Sequence, residues 1–181
     1  MKKNNIYLDL ETLRSAESVG GWDKLDKLGV AVAVTYSPGL HQLGIFTEDN
    51  LGEMTTALQE ADVVVGYNLI NFDLKVLQGY KELNISNLHV CDLMLEVEKA
   101  LGHRLSLCNL RAATLGHTPQ FDGLEMTKLW ENGEKEKVIE CCCNDVLAMH
   151  ALHQHGITRG EVLYYAGPDQ ELTTLKVNWS E

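Results

Sequence analysis

Basic residues are scarce in this sequence: 15 Lys and Arg stand against 26 Asp and Glu, a formal net charge of −11 at pH 7. That balance excludes a protein that grips nucleic acid chiefly through a basic surface. Prolines number only three, Pro38, Pro119 and Pro168, all in expected loops, and no low-complexity tract or internal repeat is present. Collagen-like and disordered classes are thereby excluded. Long apolar runs are missing too. The longest, Leu28 to Val34 and Ala61 to Gly66, fall far short of the ~20 residues that span a bilayer. The stretch after the basic Met1-Lys2-Lys3 start is interrupted by Asp9 and Glu11, so the expectation is a cytoplasmic chain with no membrane contact. The five cysteines, three of them consecutive at 141 to 143, lack the C-x-x-C spacing of a zinc site and form no disulfide framework, so reduced thiols are expected.

What is present is an ordinary globular composition, 45% hydrophobic and 23% charged, in 181 residues. That length suits one domain over 1–181 that buries ~70% of its unfolded surface. Strand patterns come first: Ile6 to Leu10, then Leu28 to Tyr36, then Leu43 to Phe46 after a Ser-Pro-Gly turn, together an antiparallel meander. A helix over Leu51 to Glu60, a buried strand over Val63 to Tyr67, a helix over Phe72 to Tyr80 and a short strand around Leu88 to Cys91 follow. Four amphipathic helices are predicted at Asp92 to Leu101, Ser106 to Leu115, Leu124 to Glu131 and Glu134 to His153, with stops at Gly102, Gly116, Gly133 and Gly156. A closing hairpin pairs Val162 to Ala166 with Leu172 to Val177, about 161–178 in all. The predicted fold is α/β: an RNase H-like mixed β-sheet flanked by helices, with a C-terminal β-hairpin.

Four acids stand out against this pattern. Asp9 and Glu11, at i and i+2, project from one face of the first strand together with Tyr7. On its own, a solvated strand edge of alternating polarity accounts better for the pair. Asp73 opens a helix after a buried strand, where an acid is favoured by the helix dipole alone. Asp145 is the most informative. It sits in the stripe Val138, Cys141, Asp145, Met149 and Leu152, and no Lys or Arg lies three or four positions away to neutralise it.

Taken together, Leu8-Asp9-Leu10-Glu11-Thr12, Asn68-x-x-x-Phe72-Asp73 and Cys141-x-x-x-Asp145-Val146 resemble the three exonuclease motifs of the four-carboxylate DEDD superfamily, in that family's order. Arg14-Ser15-Ala16-Glu17 with Val19-Gly20-Gly21-Trp22, Glu98-Lys99-Ala100-Leu101-Gly102-His103 and Asn144-Asp145-Val146 resemble more closely a predicted 3′-to-5′ exonuclease group related to the proofreading domain of family-B DNA polymerases. The resemblance implies hydrolysis of single-stranded or frayed DNA from the 3′ end by a two-metal-ion mechanism. By the resemblance, Asp9, Glu11, Asp73 and Asp145 are the catalytic metal ligands for two Mg²⁺ or Mn²⁺ ions, which hard carboxylate oxygens suit. Leu10, Thr12 and Asn68 are implied at the substrate, and Trp22, with Lys24 and Lys27 nearby, could stack on a single strand. Lys75, Arg104, Arg111 and Lys128 are candidate phosphate contacts, with solvated surface charges the simpler reading.

The resemblance departs at Cys141, where the family carries the Tyr or His that orients the attacking water. A thiol is shorter than a phenol and does not reach the same water, so Cys141 modulates activity. Tyr7, Tyr67 and His150 are the residues that could stand in for it. Two further readings therefore accompany the exonuclease: a nucleic-acid-binding or interaction module of the same fold with weakened catalysis, and an RNase or structure-specific nuclease. The negative charge persists after two divalent ions are added, so the expected partner is nucleic acid held locally through the metals. A helicase or polymerase partner would then deliver the strand.

Overall fold

The computed structural model describes residues 4–117 and 121–180. Pro119 and the Met1-Lys2-Lys3 start lie outside the described residues. A five-stranded mixed sheet carries the fold: β1 (Asn5–Thr12), β2 (Val30–Ser37), β3 (Gln42–Phe46), β4 (Val63–Gly66) and β5 (Val90–Asp92) lie in the order β3-β2-β1-β4-β5. β1, β2 and β3 form the antiparallel meander, while β4 and β5 add on in parallel, as an RNase H-like sheet requires. Helices α1 (Ala16–Val19), α2 (Leu51–Gln59), α3 (Asp73–Leu77), α4 (Leu93–Leu101), α5 (Leu107–Leu115), α6 (Gly123–Glu131) and α7 (Lys135–Arg159) surround it. A hairpin of β6 (Glu161–Ala166) and β7 (Glu171–Lys176) closes the chain.

β1 is the central strand, not a solvated edge. Its alternation divides two cores: Ile6, Leu8 and Leu10 pack with Leu51, Met54 and Leu58 of α2 and with Val76 and Leu77 of α3. Tyr7 packs on the other side with Val138, Cys142, Val146 and Met149 of α7 and with Leu110 of α5. Both faces of β1 are thus covered, and the polar positions Asp9 and Glu11 lie on the α7 side by the same period of two.

Several boundaries move from their predicted places for local reasons. β2 starts two residues late, because Gly29 takes a left-handed φ of 68° after a 3-10 turn over Leu25–Lys27. The helix predicted over 72–80 is regular only to Leu77, then tightens into i to i−3 bonds at Gly79 and Tyr80. At Gly79 a Cβ would stand 2.1 Å from the backbone oxygen of Asp26, so no side chain fits there. Asp92, predicted as the first helical residue, is instead the N-cap of α4 and accepts from the Met94 amide at 3.1 Å.

Gly156 is no stop. α7 runs through it to Arg159 and ends at Gly160. A Cβ at 156 would meet Cε3 of Trp179 at 2.1 Å, so the glycine admits the indole of the C-terminal tail against the helix. Gly156→Ala should therefore lower stability by up to about 2 kcal/mol, because displacement of Trp179, at about 1–3 kcal/mol, outweighs the ~1 kcal/mol gain in helix propensity. Urea melts followed by tryptophan fluorescence check this, and a stabilised variant would refute the packing account.

The amphipathic stripe on α7 is also rotated from its predicted position. Cys142 and Val146, with Val138, Met149 and Leu152, form the buried face, and Cys141 and Asp145 lie on its flank. Consecutive residues on a helix point about 100° apart, so the three cysteines face three directions.

Candidate functional site

The acids meet at the end of β1. Its register sets Asp9 opposite Val34 and Glu11 opposite Val32, and the pairing then shifts at a bulge between Glu11 and Thr12. Bulges re-aim side chains at strand ends. α7 crosses this face and delivers Asp145, so that one carboxylate oxygen from each of Asp9, Glu11 and Asp145 lies within 4.8 Å of the other two. Such a group could hold a metal ion.

Asp73 arrives from the other side of β1. The turn after β4 places Asn68 at a left-handed φ of 64°. Asp92 ties that turn together by accepting from the amides of Asn68 at 2.9 Å and Ile70 at 3.0 Å. The chain then enters α3 with Asp73 buried in its first turn. Among the described residues Asp73 stands outside the three-carboxylate group, although the charge on Asp9 reaches it.

Crowding and burial raise the affinity of these groups for protons. Burial, then the charge of Asp145, pushes Asp9 up to about 7. Burial together with Asp9, Asp145 and Asp73 holds Glu11 well above the usual carboxylate range. Asp73 is raised well above that range by burial and by Asp9. Asp145 is raised by burial, against the opposing pull of Arg111. Acids held in this way are poised for a multivalent cation, which repays their desolvation and mutual repulsion.

Arg111 is the largest correction to the sequence reading. It is buried on α5 and forms an ion pair with Oδ1 of Asp145. The neutralising base that the local sequence of α7 lacks is thus supplied by another helix, 34 positions away. No local pattern could reveal it. Arg104, another candidate phosphate contact, instead pairs with Glu98 at 3.1 Å.

Cys142 also approaches the acids: its thiol lies 3.6 Å from Oδ2 of Asp9 and 3.7 Å from the Asp9 backbone oxygen, from the buried face of α7. Burial and the neighbouring carboxylates hold this thiol well above its ordinary range, so it stays protonated as a donor. Of the residues that could replace the missing water-orienting group, the Tyr7 hydroxyl is hydrogen-bonded to Nδ1 of His153 at 2.8 Å. Tyr67 donates to the Leu105 carbonyl at 2.8 Å. His150 stands edge-on to Tyr7 and Tyr36, with ring centroids 4.9 and 5.0 Å away.

Two clefts flank the cluster. The first, of about 540 Å³, is lined by Asp9, Leu10, Glu11, Thr12 and Asp73, by Trp22 and Phe72, and by Leu124 and Thr127 of α6. Trp22 is 73% exposed, and its ring centroid lies 6.4 Å from that of Phe72. Thr12 turns its hydroxyl to the Arg14 carbonyl at 2.9 Å. Asn68 lies outside the residues lining this cleft; it shapes the turn that carries Asp73. The second cleft, of about 570 Å³, opens beyond Asp145 and is lined by Arg111, His117, Phe121, Cys141 and Asn144. The α6 wall was not legible as part of the site, because its residues share no spacing with the acids.

Fold and cluster together define a class: an RNase H-like α/β protein with closely spaced carboxylates at the end of its central strand. No protein-family model and no curated protein matches the sequence. Among solved structures, the family B DNA polymerase from the hyperthermophilic archaeon Pyrobaculum calidifontis is similar over 87% of this chain, with 14% identity and a TM-score of 0.65. The matched region is 25% of the polymerase chain, so this chain spans about a quarter of that protein's length. At this identity the likeness is one of fold. Among the described residues no helix is long and apolar enough to cross a membrane.

Proposed function

We propose that this chain acts as one unit over residues 1–181, a metal-dependent 3′-to-5′ exonuclease on single-stranded or frayed DNA. The observation that carries the reading is the group Asp9, Glu11 and Asp145, with ligand oxygens within 4.8 Å, beside a solvent-open cleft. Asp73, from the opposite side of β1, completes four acids. Their donor set is all oxygen, which fits Mg²⁺ or Mn²⁺. Two such ions, when bound, would supply an activated water and stabilise the leaving oxygen.

The chain's own residues supply the rest. Trp22 and Phe72 offer aromatic surfaces at the cleft on which a terminal base can stack, a sequence-tolerant contact worth ~1–3 kcal/mol per base. Leu10 and Thr12 line that cleft beneath the base. Asp92 and Asn68 hold the turn that positions Asp73. Arg111 and Cys142 keep Asp145 and Asp9 in fixed orientations. With a surface this acidic, delivery of the strand by a helicase or polymerase partner is part of the proposal.

The second reading, a nucleic-acid-binding module of the same fold, is favoured by Cys141, which lines the second cleft with a short thiol. A 5′-labelled oligodeoxynucleotide incubated with the protein and Mn²⁺ separates the two. The exonuclease gives a ladder shortening from the 3′ end, suppressed by EDTA. Binding without shortening under any divalent ion refutes the exonuclease and leaves the module.

A further inference from the structure

We propose that β3 is a self-association edge: a second copy of this chain adds its own β3 antiparallel to the first, giving a two-fold dimer with one continuous sheet. The inference does not depend on the metal site. β3 ends the sheet order, so among the described residues no strand pairs with its outer side. Edge strands are ordinarily blunted by charged side chains, by proline, by a bulge or by a covering segment. Gln42-Leu43-Gly44-Ile45-Phe46 carries neither charge nor proline, and it pairs with β2 through five successive residues without a shift. Leu43 and Ile45 lie opposite Tyr36 and Val34, on the sheet face where α7 packs over β1 and β2. Beyond the cover of that helix they stay 36% and 46% exposed.

Charge selects a second copy as the occupant. The sequence holds no Asp, Glu, Lys or Arg between Lys27 and Glu48, its longest such interval, in a chain of net charge −11. Two copies repel wherever their acidic surfaces meet. β3 is where the uncharged interval reaches the surface, so copies can join there with their like charges held apart and screened beyond ~8 Å at physiological salt. The strand itself sets the register. A two-fold axis through Gly44 pairs Leu43 with Ile45 of the second copy and Gln42 with Phe46 of the second copy, and only this register matches the strand over its full length. Both Leu–Ile pairs then fall on the α7 side, as cross-strand contacts of the kind that hold sheets together. On the other face a Cβ at Gly44 would stand 2.6 Å from Cε2 of Phe46, so the glycine lets that ring fold back over its own strand. The contact is small, and the dimer is therefore a weak one. Its axis stands perpendicular to the sheet, so the two β1 strands run in opposite directions. Each acidic site lies two strands in from the joined edge and stays open.

Sedimentation equilibrium of the native chain between ~5 and ~500 μM, the range in which a small interface associates, should show the average mass rising from one chain toward two. Raising NaCl from about 0.05 to about 0.5 M should strengthen association, because it screens like charges. Ile45→Glu should weaken it at least ~10-fold by removing both apolar pairs. The double variant Leu43→Lys/Ile45→Glu places opposite charges across each pair in this register alone and should recover association. Hydrogen exchange in the native chain should slow at residues 42–46 as concentration rises. A native chain that stays monomeric throughout overturns the proposal and leaves the edge to an extended segment of another protein. Association that salt weakens, or that slows exchange elsewhere and not at β3, overturns it as well. So does Ile45→Glu associating like the native chain, or a double variant that fails to recover. If either variant fails to fold by circular dichroism, the concentration dependence of exchange in the native chain decides alone.

Discussion

Asp9→Asn is expected to stabilise the metal-free protein at pH 8 by on the order of 4 kcal/mol, because it removes a buried charge and leaves the shape of the side chain. Asp9 is partly buried at the cleft, and its burial together with the neighbouring Asp145 lifts it from 3.8 to about 7. Between those values the folded protein binds a proton that the unfolded chain has released. The stability so contributed is complete below about 4 and is lost as pH rises through about 7. An asparagine is neutral throughout, so native and variant should differ little below about pH 4, diverge between about pH 4 and pH 7, and keep the full difference above it. His153, lowered to about 4 by burial and by His150, acts in the opposite sense: its term is lost as pH falls below about 6.5. It is common to both proteins and cancels in their difference. Urea melts in EDTA at pH 5 and pH 8 measure the effect. An equal difference at both pH values would show that Asp9 is not the strained acid described above.

Metal narrows this difference. Mn²⁺ at about a hundred times its dissociation constant should stabilise the native protein by ~2.7 kcal/mol, a rise in Tm of roughly 5–10 °C for a chain of this size. The rise should be greater at pH 8 than at pH 5, where protons compete for the same oxygens. Glu11→Gln and Asp145→Asn each remove one of the three clustered ligands. Both should lose most of the rise and at least about a hundredfold in cleavage, since even residues behind a metal's ligands cost 10- to 100-fold. Calorimetry with and without Mn²⁺, beside rates on a labelled oligonucleotide, gives both numbers. A native melting curve indifferent to Mn²⁺ at pH 8 would count against the site as a metal centre.

The two experiments probe features that differ in how visible they are in the sequence. The strand order and the C-terminal hairpin follow from local periodicity and turn residues, and they match the observed sheet and hairpin closely. The misplaced boundaries arise where tertiary contact decides: Gly156 marks the seat of Trp179, and Gly79 the approach of Asp26. Asp9 and Glu11 looked like the polar side of a half-exposed strand because alternation reports polarity, not what covers it. Their meaning depends on α7 lying above β1. Arg111 was the least visible of all, since a helix 34 positions from Asp145 supplies the charge. The sequence shows only that Asp145 has no Lys or Arg three or four positions away on its own helix; it does not point to Arg111.

The position of Arg111 has its own support. On α5, Asn109 both donates to and accepts from the backbone of Tyr165, at 2.9 and 2.8 Å, and Thr114 does the same for Leu163, at 2.9 Å each way. Arg111 lies between these two clamps. The unpaired edge of β6 is thereby capped by side chains of a helix, and the helix is locked in rotation about its axis by a strand. Deleting or inserting one residue between 109 and 114 would turn one clamp by about 100° relative to the other. Both could not then be made, and the guanidinium would swing away from Asp145. Between Asn109 and Thr114, α5 therefore cannot change its length.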